Sequence, residues 1–221
     1  MPFAICKKRG KMLYIEQSIK KYLEDLSAKL PAPGGGSVAA LTGALAGGLI
    51  SMVCNFTIGN PKFPDLQQNE CMGILSSAGS VREELCRLID EDVRVYGKVS
   101  IAYKLPKDTE EQKAKRAIVI QEVLKEAMQV PEQILKLSYQ LLELAEKLLE
   151  AGNPGLITDT GMAAVLSCAA MESALLNVEI NLSSITDKEF TEKTRIALKP
   201  LMVKGGAIKY EVVKKINRGK Y

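Results

Sequence analysis

The chain has 221 residues, 47% apolar and 25% charged, a balance that fills one sizeable globular core. A net charge of +4 and an aromatic content of 5% without Trp argue against a nucleic-acid stacking platform. Histidine is absent, which excludes Ser-His and Cys-His nucleophile pairs and every His-ligated metal site.

Proton transfers in such a chain fall to Asp, Glu, Lys, Tyr or Cys. Cys6, Cys54, Cys71, Cys86 and Cys168 form no CxxC pair, and two of them sit in apolar runs; reduced thiols in a cytoplasmic protein fit best. Residues 1–12 lack the apolar core of a signal peptide and read as a flexible extension. Residues 13–221 contain no linker and read as a single helical domain. Basic groups at Lys7-Lys8-Arg9 and at Lys214-Lys215 with Arg218 read as solvated tails.

In chain order, Leu13 to Leu30 predicts a first helix with Ile15, Ile19, Tyr22, Leu23 and Leu26 inward. Pro31 and Pro33 end it. A second helix starts near Gly36 or Ser37, with Ser37 as cap, and runs to about Ile58. From Leu30 to Pro61 there is no charge, and Gly43 and Gly47 give the helix a small-residue face for close packing, within a bundle or across a dimer. Val38 to Phe56 is long enough to span a bilayer, but its Gly, Ala, Ser and Thr content favours a buried helix. A third helix covers Leu66 to Tyr103, with Leu85, Leu88, Ile89, Val95, Tyr96, Val99 and Tyr103 on its apolar stripe. A fourth runs from Glu110 to Glu150, broken or kinked near Pro131. Asp159 caps a fifth, to about Asn181, with Met162, Val165, Leu175 and Leu176 inward. A sixth spans Lys188 to Asn217, with Ile196, Leu198 and Val203 inward. No stretch alternates as a strand does. The expected fold is all-α, an up-and-down bundle of five to six long helices.

Two features point to chemistry. Pro33-Gly34-Gly35-Gly36-Ser37 opens directly into an uncharged helix, so unpaired backbone N–H groups and a positive dipole end face a backbone that a ligand can approach closely. The plainer reading is a tight turn before a buried helix. Asp92 falls on the apolar stripe of the third helix, where a carboxylate needs a partner or a task. A buried ion pair with Lys104 would serve as that partner. Asp90, with Arg94 four residues on, reads as a solvated pair. Asn177 and Asn181 share a helix face as structural amides or as ligand contacts.

Together these segments resemble the cyclodeaminase/cyclohydrolase family. That family includes the C-terminal domain of formiminotransferase-cyclodeaminase and stand-alone methenyltetrahydrofolate cyclohydrolases. The resemblance rests on Pro31-Ala-Pro-Gly-Gly-Gly-Ser37, Asn55-Phe-Thr57 with Lys62, Asp90-Glu-Asp92 with Tyr96, Ala102 to Lys107, Gly152-Asn-Pro154, Asp159-Thr-Gly161 and Leu175 to Leu182, in that order. It spans roughly Ile15 to Ile208. Pro61 and Phe63 depart from a loop that is more basic in many relatives.

The resemblance implies an all-helical homodimer that handles a tetrahydrofolate derivative as substrate. It holds no permanent cofactor or metal, and has no nucleic-acid or membrane partner. A groove near the subunit interface would take the pterin and its glutamate tail. Asp92, Tyr96 and Lys104 are then the catalytic candidates. Pro33, Gly34, Gly35, Gly36, Ser37, Asn55, Lys62, Lys107, Asp159, Asn177 and Asn181 are the substrate-binding candidates. Three functions follow: formiminotetrahydrofolate cyclodeaminase, a lyase; methenyltetrahydrofolate cyclohydrolase, a hydrolase; and a non-catalytic folate-binding helical module.

Overall fold

The structure is a computed structural model that describes residues 12–219. The extension expected over 1–12 lies outside the described residues apart from Met12, as does Cys6. A 3-10 turn at Tyr14–Glu16 precedes six α-helices: α1 (Ile19–Ser27), α2 (Gly35–Thr57), α3 (Asp65–Tyr103), α4 (Glu110–Ala151), α5 (Ile157–Ser184) and α6 (Lys188–Asn217). The described residues contain no strand. The all-α, up-and-down expectation holds: five helices are long and α1 is short.

Local chemistry sets the boundaries. Ser18 accepts the Lys21 N–H and caps α1. Thr109 and Gln112 form a reciprocal capping box that starts α4, and Asp187 accepts the Phe190 N–H to start α6. α4 continues through Pro131 without a break, and α6 through Pro200. Short connections force neighbouring helices antiparallel. α2, α3, α4 and α5 form a four-helix ring, and α6 lies along α4 and α5.

The small-residue face of α2 looks into this ring. A β-carbon at Gly43 would come within 3.0 Å of Leu85 Cδ1 and Ser138 Oγ, and one at Gly47 within 3.0 Å of Arg82 Cβ. Those glycines therefore let α3 and α4 approach α2 closely inside one chain. α2 is long and apolar enough to cross a membrane, as is the stretch Pro154–Ser184. Each turns one side into the ring, with Ala39, Ala40, Ala46, Ile50, Val53, Ala163, Ala164, Ala174 and Val178 fully buried.

At one end of the ring, the hydroxyl of Thr57 accepts the N–H of Asn153, and Gln67 donates to the carbonyl of Gly152. Cys54 and Cys71 are buried there, with Cys71 Sγ donating to Ala151 O at 3.1 Å. Burial pushes the Cys54 thiol up to about 12. The N-terminus of α2 lies at the opposite end.

Several inward expectations are corrected. The first helix is shorter than 13–30, and of its predicted face only Tyr22 is fully buried; Ile19 is 80% exposed and Leu23 and Ile15 are also open. The surrounding segment is docked by polar contacts instead: Asp90 accepts the N–H of Tyr14 at 2.6 Å and of Ile15 at 3.2 Å. Asp90 is thus no solvated partner of Arg94, whose guanidinium pairs with Glu91 and Glu126. Met162, Val165, Leu176, Ile196, Val203, Tyr96 and Tyr103 are also exposed. The 3.6-residue pattern gives a face but not what covers it.

Candidate active site

The Ala32–Pro33 peptide is cis, and the buried Pro33 stands directly before the start of α2. Gly34, not Ser37, is the N-cap, and it has no side chain to offer. The missing acceptor comes from another helix: Asp92 Oδ2 on α3 accepts the Ser37 N–H at 3.0 Å. Ser37 is fully buried and its hydroxyl shares a 3.0 Å hydrogen bond with Tyr22 OH. Gly35 and Gly36, in the first turn, keep N–H groups with no carbonyl four residues back to bond.

Asp92 lies hard against Gly36. A β-carbon at residue 36 would overlap Asp92 Oδ1 and lie 2.6 Å from Cγ. Burial raises the carboxyl pKa above its ordinary value, and the Ser37 N–H pulls it part of the way back. Among the described residues Asp92 makes no ion pair. The anticipated Lys104 partner is exposed at the C-cap of α3, about 18 Å further along the helix at 1.5 Å per residue.

A cavity of about 310 Å³ opens over this contact. Its walls bring together Gly34, Gly35, Gly36, Asp92, Tyr96, Asn177 and Asn181. The Asn177 amide nitrogen donates to the Ser173 carbonyl of its own helix at 2.9 Å. Its amide lies 3.5 Å from where a β-carbon on Gly35 would stand. Tyr96, half exposed at the rim, is one turn beyond Asp92 on α3.

Sequence reasoning missed a further wall. Ala127 and Pro131 of α4 both line the cavity. Proline has no N–H, so the Ala127 carbonyl four residues earlier loses its helical donor and is left as an acceptor. A proline inside a long helix was the available signal, read only as a kink. Ala32, Val95, Val99 and Ile180 add apolar surface.

Other candidates lie elsewhere in the chain. Asn55 is exposed near the C-terminus of α2, about 30 Å from Gly35, and Lys62 is exposed in the following loop. Asp159 lies in the first turn of α5, about 27 Å from Asn177, and does not cap that helix, whose N-cap is Leu156. Lys104 and Lys107 are exposed beyond the end of α3. None of these lines the cavity of its own chain. Among the described residues no three acidic or thiol groups gather to hold a metal.

The arrangement suits proton transfer at a cationic or polar heterocycle. A carboxylate with a raised pKa stands beside a positive helix terminus, with the Asn177 and Asn181 amides at the walls and, among the described residues, no lysine in the lining.

Known proteins resemble the chain as a whole in sequence and fold. The crystal structure of formiminotetrahydrofolate cyclodeaminase from Thermotoga maritima superposes with a TM-score of 0.80 at 31% identity, covering 90% of this chain and 95% of that one. Methenyltetrahydrofolate cyclohydrolase of Methylorubrum extorquens is 38% identical over 205 residues, 91% of this chain and 98% of the relative. Formimidoyltransferase-cyclodeaminase of Rattus norvegicus is 33% identical over 188 residues, 85% of this chain but only 35% of the longer relative. With residues 18–199 also matching the profile of that family, the chain belongs to the formiminotransferase-cyclodeaminase family.

Proposed function

We propose that the chain is a folate one-carbon enzyme that closes 5-formiminotetrahydrofolate to 5,10-methenyltetrahydrofolate with release of ammonia. The observation that carries this reading is the partly buried Asp92 carboxylate at the α2 mouth, inside a cavity with polar walls. N10 attacks the protonated formimino carbon, and Asp92 takes the N10 proton. The resulting tetrahedral carbon carries N5, N10 and an amino group. Asp92 returns its proton to that amino group, the C–N bond breaks, and ammonia leaves the methenyl cation. The same carboxylate steadies the amidinium charge in both steps. Asn177, Asn181 and the Ala127 carbonyl meet the polar edge of the pterin, and Tyr96 covers the reacting carbon.

A second reading, the cyclohydrolase, is favoured by the match along 98% of a relative of that name. There a water attacks the methenyl carbon and gives a proton to Asp92. Asp92 then protonates N5, the C–N5 bond breaks, and the hydroxyl proton leaves as 10-formyltetrahydrofolate forms.

We also infer that the enzyme works as a soluble cytoplasmic homodimer. Leu45 and Phe56 on α2 and Met162, Leu176 and Ile180 on α5 are each more than half exposed, on helices almost free of charge. A second copy packed antiparallel on this face would bring its Asn55, Lys62 and Asp159 towards the mouth. The resemblance gives a role to those residues, which stand far from the cavity of their own chain.

One spectrophotometric assay tests the function. Appearance of the methenyl chromophore from the formimino substrate supports the cyclodeaminase, and its loss from the methenyl substrate supports the cyclohydrolase. Tight folate binding with neither reaction would make the chain a non-catalytic folate-binding module.

A further inference from the structure

The cavity over Asp92 has a neighbour. Pro31, Ala32 and Tyr96 line both it and a second chamber of about 770 Å³, between the Tyr14–Asp25 segment and α3. The α3 wall is Val93, Tyr96, Gly97 and Ser100, spaced to lie along one side of the helix. Asp90, by accepting the Tyr14 and Ile15 amides, fixes the opposite wall.

The two chambers differ in chemistry. The first, at about 310 Å³, is at the lower end of small-molecule sites and has no cation in its lining among the described residues. The second combines apolar surface at Leu30, Pro31 and Val93 with Lys21, whose side chain is half exposed. Lys21 is the one Lys or Arg lining either chamber among the described residues. Its ammonium bonds Asp25 Oδ1 at 2.7 Å, and Tyr14 OH donates to Asp25 Oδ2 at 3.2 Å. An ammonium has three N–H donors, so one bond to Asp25 leaves two for a ligand carboxylate. Asp25 keeps its tyrosine donor if Lys21 turns outward.

We propose that this second chamber seats the arylamide arm of the folate, its ring against Pro31 and Val93 beside Tyr96, and its first glutamate carboxylate on Lys21. The inference rests on the folate reading above. In that substrate the aryl ring is bonded to N10, one atom from the reacting carbon, so the arm must leave the small cavity next to Asp92. Tyr96, on the turn after Asp92, stands at that exit. Lys62 and Lys107, substrate-binding candidates from sequence, and Lys104 line neither chamber.

Two variants test this in steady-state assays on the full chain. A β-carbon at Gly97 meets no atom within 4 Å, so Gly97→Phe fills the chamber without pressing on the core. It raises KM for the glutamate-bearing substrate at least ~10-fold and changes kcat little, as expected when binding outside the reacting centre is removed. Lys21→Met, on a half-exposed side chain, raises KM about 10-fold for the same substrate, the size of one charge-assisted hydrogen bond. Its effect on the pteroate analogue, which has the same head and ring but no glutamate, is at least fivefold smaller. Equal effects on the two substrates, or wild-type KM in both variants, overturn the proposal. So does a glutamate-specific KM rise in Lys62→Met with none in Lys21→Met. A wild-type chain that turns over no folate overturns the enzymatic folate reading on which this rests; normal wild-type turnover with unmoved variants overturns the second chamber alone.

Discussion

Asp92 and Gly36 compete for one volume: the carboxylate of the first fills the space where a side chain of the second would begin. Gly36→Ala must therefore push Asp92 off the α2 mouth, and with it the bond to the Ser37 N–H. Turnover is expected to fall at least ~100-fold, the lower end of the range for loss of a positioned acid–base group. Gly79→Ala, on α3 with nothing within 4 Å of the new carbon, is the control. It should retain activity and gain about 0.5–1 kcal/mol from reduced backbone freedom in the unfolded chain.

Asp92→Asn keeps an oxygen acceptor for the Ser37 N–H and loses the titrating group. The variant should fold, bind folate, and lose at least ~100-fold in kcat. Burial lifts the Asp92 pKa, so the rising limb of the wild-type pH–rate profile should lie above the ordinary carboxylate range. In the variant that limb should vanish. Near-full activity of Asp92→Asn would remove Asp92 from the chemistry and leave it a capping residue.

The same shift predicts a pH-dependent stability difference. A carboxyl whose pKa is higher folded than unfolded favours the fold fully below about pH 3.9, and that contribution is lost as pH rises through the folded pKa. As pH rises through the folded pKa, the wild type takes on a buried charge that Asn lacks. Calorimetry should find Tm of Asp92→Asn minus wild type more positive at pH 7.5 than at pH 3.5. The opposite trend would mean that the Ser37 N–H outweighs burial.

Leu85 is fully buried and would touch any β-carbon placed on Gly43. Leu85→Ala leaves a cavity at the α2–α3 contact and should cost about 2–5 kcal/mol, read from denaturant unfolding.

The exposed stripe on α2 and α5 predicts an assembly. Leu45→Glu combined with Leu176→Glu should convert a dimer to a monomer in sedimentation velocity, with little change in helicity. Activity should fall with it if Asn55 and Lys62 of the second copy complete the site. A variant that stays dimeric would exclude this face.

The fold was legible because five of its helices are long, and proline and glycine mark ends such as the turn from Pro31 to Gly36. Asp92 was legible because a carboxylate interrupts an apolar stripe. What it touches was not, because the bond to Ser37 joins residues 55 apart on different helices. The first helix misled because Tyr14 and Ile15 are held by Asp90 through backbone amides, which leave no trace in side-chain periodicity. Asn55 and Asp159 were grouped with the glycine mouth by sequence motif, yet each stands one helix length from it.

The sealed thiols at the closed end of the ring make the chain its own reporter of breathing. Cys54 and Cys71 are inaccessible and Cys54 is held far from ionisation, so a soluble alkylating reagent can reach them only when α2 and α3 part. Their labelling rate would then time the opening of the scaffold, some 30 Å from the chemistry and without disturbing it.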